Sequence, residues 1–145
     1  MRAVLQRVSE AAVTAGSYSA EIGPGLLALV AVKKTDTEKD AEYTAEKTAN
    51  LRIFPDAEGK LNLSALDTKG QILAVSQFTL YGDCRKGRRP GFSNCAGREK
   101  SLKLFSLYAE KLSGKGLTVK TGKFGEHMNV SLTNDGPVTL VVDSE

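Results

Sequence analysis

The tightest constraint on this chain is a short stretch with no polar residue in it. Ile72, Leu73, Ala74 and Val75 follow Gly70 as an unbroken apolar run, and a strand without alternation is one covered on both faces. At Ser76-Gln77 the pattern breaks, and Phe78, Leu80 and Tyr81 then resume the apolar character before Gly82. A buried strand that turns polar at its end and runs into a loop can offer backbone and hydroxyl groups to a ligand. A core strand merely reaching the surface is the plainer alternative.

The rest of the chain supplies partners for that strand. Residues 2–8 alternate, with Ala3, Leu5 and Arg7 on one face and Arg2, Val4, Gln6 and Val8 on the other, which predicts a strand with one mixed face. A weaker strand is expected over 11–15, stopped by Gly16-Ser17, and Gly23-Pro24-Gly25 is a strong turn. Residues 26–32 have the length and composition of a second core strand. Thr35-Asp36-Thr37-Glu38 reads as a capping box, Thr35 taking a backbone N–H and Glu38 reaching back. A helix from about Thr37 to Asn50 follows, with Ala41, Ala45, Thr48 and Leu51 on one face, and Pro55 forbids its continuation. Asp56 to Lys60 is a turn and residues 61–64 a short edge segment. Between Gly97 and Leu112, Leu102, Phe105, Tyr108, Ala109 and Leu112 recur at helical spacing. Three antiparallel strands are expected after Ser113-Gly114: 117–121, 128–132 and 138–142, with turns at 122–126 and at 134–137. The prediction is one α+β domain over residues 1–145, a strongly curved, mostly antiparallel, barrel-like sheet with two main helices.

Charge adds a second constraint. The chain carries +3 overall, yet residues 83–103 hold seven basic side chains (Arg85, Lys86, Arg88, Arg89, Arg98, Lys100, Lys103) against Asp83 and Glu99, a local +5. A cationic patch on a near-neutral body suits a polyanionic partner, although a solvated loop and helix face would look the same. Cys84 and Cys95 match no metal or redox spacing and His127 is the only histidine, so no metal or cofactor is expected. No apolar run approaches the roughly 20 residues of a membrane span. Met1-Arg2 leads straight into alternating sequence without a signal-peptide core, and a cytoplasmic location is expected.

Conventional catalytic groups are scarce. Ser76, Thr79 and Thr139 are possible nucleophiles, but the available bases are one histidine and scattered carboxylates, and no Gly-rich phosphate loop occurs. An enzyme of this composition has to rely on backbone dipoles or on its substrate. Asn134-Asp135-Gly136-Pro137 reads alone as a hairpin corner. A cis Gly136-Pro137 bond, a state found in only about 5–6% of X-Pro bonds, would set two neighbouring carbonyls to one side as rigid acceptors.

Taken together, Ser76-Gln77-Phe78-Thr79 and Asn134-Asp135-Gly136-Pro137-Val138-Thr139 resemble the paired motifs of the D-aminoacyl-tRNA deacylases. The opening Met1-Arg2-Ala3-Val4-Leu5-Gln6-Arg7-Val8 and the stretch from Tyr81 to Pro90 match the same family, and the resemblance covers the whole chain. It implies a homodimer with the active site at the subunit interface, where Ser76, Gln77, Phe78 and Thr79 of one chain form the catalytic pocket. Gly136 and Pro137 of the other, in the cis form and followed by Val138 and Thr139, would set their carbonyls against the α-carbon, so that an L side chain collides and a D side chain points away. Backbone N–H groups near Phe78 and Thr79 would stabilise the ester oxyanion. Arg7 would fix the Gly136-Pro137 segment, a surface ion pair being the alternative. Arg85, Lys86, Arg88 and Arg89 would meet tRNA phosphates. The competing reading is a non-catalytic RNA-binding module using the basic loop with Phe92 for stacking; a Cys84/His127 thiol hydrolase has almost no support.

Overall fold

A computed structural model describes residues 1–144. The order of elements is β1 (Arg2–Ala15), β2 (Tyr18–Ile22), β3 (Gly25–Ala31), α1 (Glu38–Asn50), β4 (Phe54–Pro55), β5 (Leu61–Leu63), α2 (Ala65–Thr68), β6 (Gln71–Ser76), a 3-10 turn (Phe78–Tyr81), α3 (Arg98–Ser113), β7 (Val119–Thr121) and β8 (Asn129–Asp143). The long first strand organises the sheet. Along one edge it takes β3 with its N-terminal half and β2 with its C-terminal half; along the other it takes β8, all antiparallel. Beyond β3 the sheet continues in parallel to β6 and β7. The curl then brings β7 and β6 back towards β2: Tyr18 Oη donates to Thr121 O at 2.7 Å, Lys120 Nζ to Glu21 O at 2.7 Å, and Gly23 N to Gln71 Oε1 at 2.8 Å.

Alternation sorts the two cores. Leu26, Ala28, Val30, Ile72 and Ala74 face the helices, where they meet Ala41, Ala45, Phe105, Tyr108 and Leu112. Leu27, Leu73 and Val75 face the concave side with Val8, Val13 and Ile22. Both apolar runs are thus buried on two faces, as their composition requires. Close approach is enforced at one point. A β-carbon on Gly25 would stand 1.9 Å from Gln71 O, so only glycine lets β3 and β6 start their pairing there. Between α1 and α3 the buried Tyr108 hydroxyl shares a 2.9 Å hydrogen bond with Thr48, and burial pushes its pKa well above the usual phenol value despite that bond. Outside, Lys103–Glu38 and Lys111–Glu42 at 2.7 Å and Lys115–Glu46 tie the helices together, exposed pairs worth little each.

Several sequence expectations change. The N-cap of α1 is Thr37, not Thr35, and Asp40 accepts from the Thr37 N–H at 2.7 Å and its hydroxyl at 2.8 Å; Glu38 instead faces Lys103. The stretch expected as a weak strand over 11–15 continues β1 without a break, and β2, half exposed, went unread. Ser64 caps α2, a one-turn helix, through Asp67 N. Leu102, placed on the buried face of α3, is 44% exposed, while Leu104 is buried. The strand β7 is parallel to β6, because α3 lies between them as a crossover and a crossover returns the chain in the same direction. Residues 134–137 make no hairpin. The last two expected strands are one element, β8, which runs antiparallel to β1 on both sides of residues 134–137.

Candidate active site

Where β6 ends, Gln77 N still donates to Val30 O at 2.8 Å, and the chain then tightens into the 3-10 turn with Leu80 N on Gln77 O (3.2 Å) and Gly82 N on Thr79 O (2.9 Å). The residues expected as a strand end therefore divide: Ser76 closes β6, while Phe78 and Thr79 open the turn. Their N–H groups, first in the turn, have no acceptor within it. The Gln77 side-chain amide donates to the Thr79 hydroxyl. A cavity of about 520 Å³ opens beside this strand end. Ser76, Gln77 and Phe78 line it on one side; Thr79 is exposed and does not. The opposite wall, made by Arg98 and by Phe124 to Met128, was not singled out by sequence. His127 and Glu126 are the titratable groups on that wall with Arg98, and no hydrogen-bonded acid–base pair is formed there. Nearby, burial pushes the Cys95 thiol pKa up although the Lys34 charge opposes it, so Cys95, its Sγ 3.4 Å from Phe78 O, is no activated nucleophile. Cys84 and Cys95 are both free thiols. Among the described residues no cluster of three His, Cys, Asp or Glu could hold a metal, and no helix is long and apolar enough to cross a membrane.

The second motif sits elsewhere. In β8 the pairing with β1 jumps from Val8↔Asn134 to Gln6↔Thr139, so four residues of β8 stand out of the ladder. A proline cannot donate to a ladder, which is where bulges are found. Asn134 braces the bulge: its Oδ1 accepts from Val138 N at 2.7 Å and its Nδ2 donates to Thr139 Oγ1 at 3.0 Å. The Gly136-Pro137 bond is cis, and Gly136 has φ +139°. From below, Arg7 spans two carbonyls, Nε donating to Asp135 O at 2.9 Å and Nη1 to Ile53 O at 2.7 Å, with the Asp135 carboxylate 3.6 Å away. Arg7 is a buried bridge, 8% exposed, rather than a surface ion pair. Gly136 and Pro137 are not among the residues of the cavity at Ser76; within one chain the two motifs stay apart.

The basic loop between Asp83 and Asn94 is pinned at its base by mutual Asp83–Gly91 backbone bonds of 2.7 and 2.9 Å. Arg85 grips Asp83 through Nε (2.8 Å) and Nη2 (2.7 Å), drawing that carboxylate far below its usual range. Lys86, Arg88 and Arg89 are exposed. The fold adds a cation that sequence separation hid: Lys34 N bonds Asn94 O at 3.0 Å, and Lys100 Nζ donates to Lys34 O at 2.5 Å. At the cavity mouth the exposed rings of Phe78 and Phe92 meet edge to face, 5.1 Å between centroids.

This architecture is shared with known proteins. The family model for D-Tyr-tRNA(Tyr) deacylase matches residues 4–143. Curated relatives include D-aminoacyl-tRNA deacylases of Brevibacillus brevis, 58% identical over 99% of this chain and 100% of that protein, and of Bacillus cytotoxicus, 57% identical over 100% of both. Among solved structures, a c-Myc DNA unwinding element binding protein superposes with a TM-score of 0.92 at 39% identity, covering 100% of this chain and 99% of that one. A probable eukaryotic D-amino acid tRNA deacylase does so with a TM-score of 0.85 at 17% identity over 98% of each chain, a likeness of fold. By the full-length match to its family model and by relatives of this identity, the chain belongs to the D-Tyr-tRNA(Tyr) deacylase family.

Proposed function

We propose that this chain hydrolyses the ester of D-aminoacyl-tRNA, and of glycyl-tRNA, to the free amino acid and tRNA, and spares L-aminoacyl-tRNA, as a cytoplasmic step of translation quality control. The observation that carries the reading is the cavity at the end of β6, lined by Ser76, Gln77 and Phe78, in a chain of this family. In this reading a water oxygen attacks the ester carbonyl, the N–H groups of Phe78 and Thr79 hold the developing oxyanion, and the 3′-oxygen of the terminal adenosine leaves. The wall offers no paired general base, which favours activation of the water by the adenosine 2′-hydroxyl over attack by Thr79. Turnover is then expected to survive Thr79→Ala and to be lost on a substrate ending in 2′-deoxyadenosine. A trapped acyl ester on Thr79, or a folded but inactive Thr79→Ala protein, would establish covalent catalysis instead.

The site is proposed to be completed by a second copy, whose Gly136-Pro137 bulge reaches the cavity and sets its carbonyls against the substrate α-carbon. Two features support this. The bulge does not reach the cavity of its own chain, and β8 is a 15-residue edge strand carrying exposed Leu132, Leu140 and Val141, a surface that soluble proteins cover.

Lys86, Arg88 and Arg89 are proposed to meet acceptor-stem phosphates; Arg85, held by Asp83, contributes less. Reversing Arg88 and Arg89 to Glu is expected to weaken tRNA binding and flatten its dependence on salt, since each lost phosphate contact removes about 0.9 from the log–log slope. An unchanged slope would place both side chains away from the RNA. The direct test is purified protein with D-Tyr-tRNA, following free tyrosine: release supports the deacylase, and binding without release would favour the RNA-binding module.

A further inference from the structure

Arg98 occupies a position that neither the motifs nor the basic loop explain. It is the first residue of α3 and lines the cavity opposite Ser76 and Gln77. Its guanidinium lies over Phe124, Cζ 6.0 Å from the ring centroid. It also lies against the backbone of Gly125, where a β-carbon would stand 2.8 Å from Nη1 and 3.0 Å from Cζ and Nη2. Glycine, at φ +75°, thus leaves room for a cation laid flat on the wall. Among the described residues Arg98 makes no ion pair, unlike Arg85, Lys103, Lys111 and Lys115. An exposed guanidinium held on an aromatic face keeps its planar fork available to an oxyanion.

We propose that Arg98 is a phosphate-binding residue that takes the 5′-phosphate of the nucleotide whose ester is cleaved. This rests on the reading that the cavity receives the terminal adenosine. The substrate end is neutral at the ester and the ribose, and its first charged group is that phosphate. With the ester at Ser76, Gln77 and Phe78, the phosphate falls towards the rim, where Arg98 is the cation on the cavity wall. From there the strand passes towards Lys34 and Lys100, which the fold joins to the basic loop.

The test is calorimetric titration of the wild-type protein and of Arg98→Gln with adenosine and with adenosine 5′-monophosphate at low salt. Glutamine keeps a good helix former at an exposed position, so folding is not at stake. The wild-type protein is expected to prefer the monophosphate by about tenfold, the size of one charge-assisted hydrogen bond, and Arg98→Gln is expected to lose that preference. No preference in the wild type, or one that survives in Arg98→Gln, overturns the proposal. An Arg98-dependent preference in a protein that releases no amino acid from D-Tyr-tRNA would uphold the phosphate site and sink the deacylase reading.

Discussion

Replacing Gly136 by alanine is expected to lower turnover of D-aminoacyl-tRNA by about 10²-fold or more, the penalty of displacing a positioning group by an ångström. The residue stands at φ +139°, a conformation L side chains rarely adopt, and its β-carbon would lie 2.9 Å from Val138 Cγ2 and 3.0 Å from Arg7 Nη2. Neither neighbour can yield freely. Val138 is β-branched and its N–H is held by Asn134, while Arg7 is buried between two carbonyls. The backbone of the bulge has to move, and with it the carbonyls proposed to face the substrate. Because the bulge is exposed and lies outside the β1–β8 ladder, the protein is expected to fold, with an unchanged far-ultraviolet spectrum. Wild-type kcat/KM in the folded variant would remove the bulge backbone from the mechanism.

Arg7→Met is expected to be the most damaging change of a side chain in the site, to stability as well as to activity. Methionine fills much of the same volume but donates nothing, so the Ile53 carbonyl loses a buried donor and the Asp135 carbonyl a half-buried one. An orphaned buried acceptor costs about 1–3 kcal/mol, and at roughly 2–4 °C per kcal/mol for a chain of this size the midpoint should fall by about 5 °C. Turnover should fall further than stability explains, because the bulge loses its support from below. Arg7→Lys keeps the charge but not the fork that spans both carbonyls, and is expected to share the loss of turnover. A variant with the wild-type midpoint and wild-type rates would show that the bulge holds itself.

Some of this was legible in the letters, for physical reasons that differ by element. Ile72 to Val75 and residues 26–32 read as doubly buried strands because nothing polar interrupts them, and both are. The helices α1 and α3 were found within a residue or two, since a 3.6-residue period and a following Pro55 or Gly114 are local signals. Strand direction is not local. Val119–Thr121 alternates in the same way whether it runs with β6 or against it. The Asn134-Asp135-Gly136-Pro137 letters are those of a hairpin corner, and only the partner strand, more than 120 residues earlier, decides that the chain goes straight on past a bulge. Of the site, the polar break at Ser76-Gln77 was visible as an interruption, and it does open onto a cavity. The wall facing it was not visible, because Arg98, Phe124 and Gly125 become neighbours only when α3 packs beside the loop after β7. The same holds for Lys34, which joins the cationic surface through a backbone bond to Asn94.

The measurement that bears most directly on the whole account is the ratio of hydrolysis rates on D-Tyr-tRNA and L-Tyr-tRNA, with glycyl-tRNA as the achiral reference. A gauge made of main-chain carbonyls acts by excluding the L side chain, so D-Tyr-tRNA and glycyl-tRNA are both expected to be deacylated while L-Tyr-tRNA is left essentially intact. Equal rates on the D and L esters would contradict it, because a pocket that admits both hands has no gauge at the α-carbon.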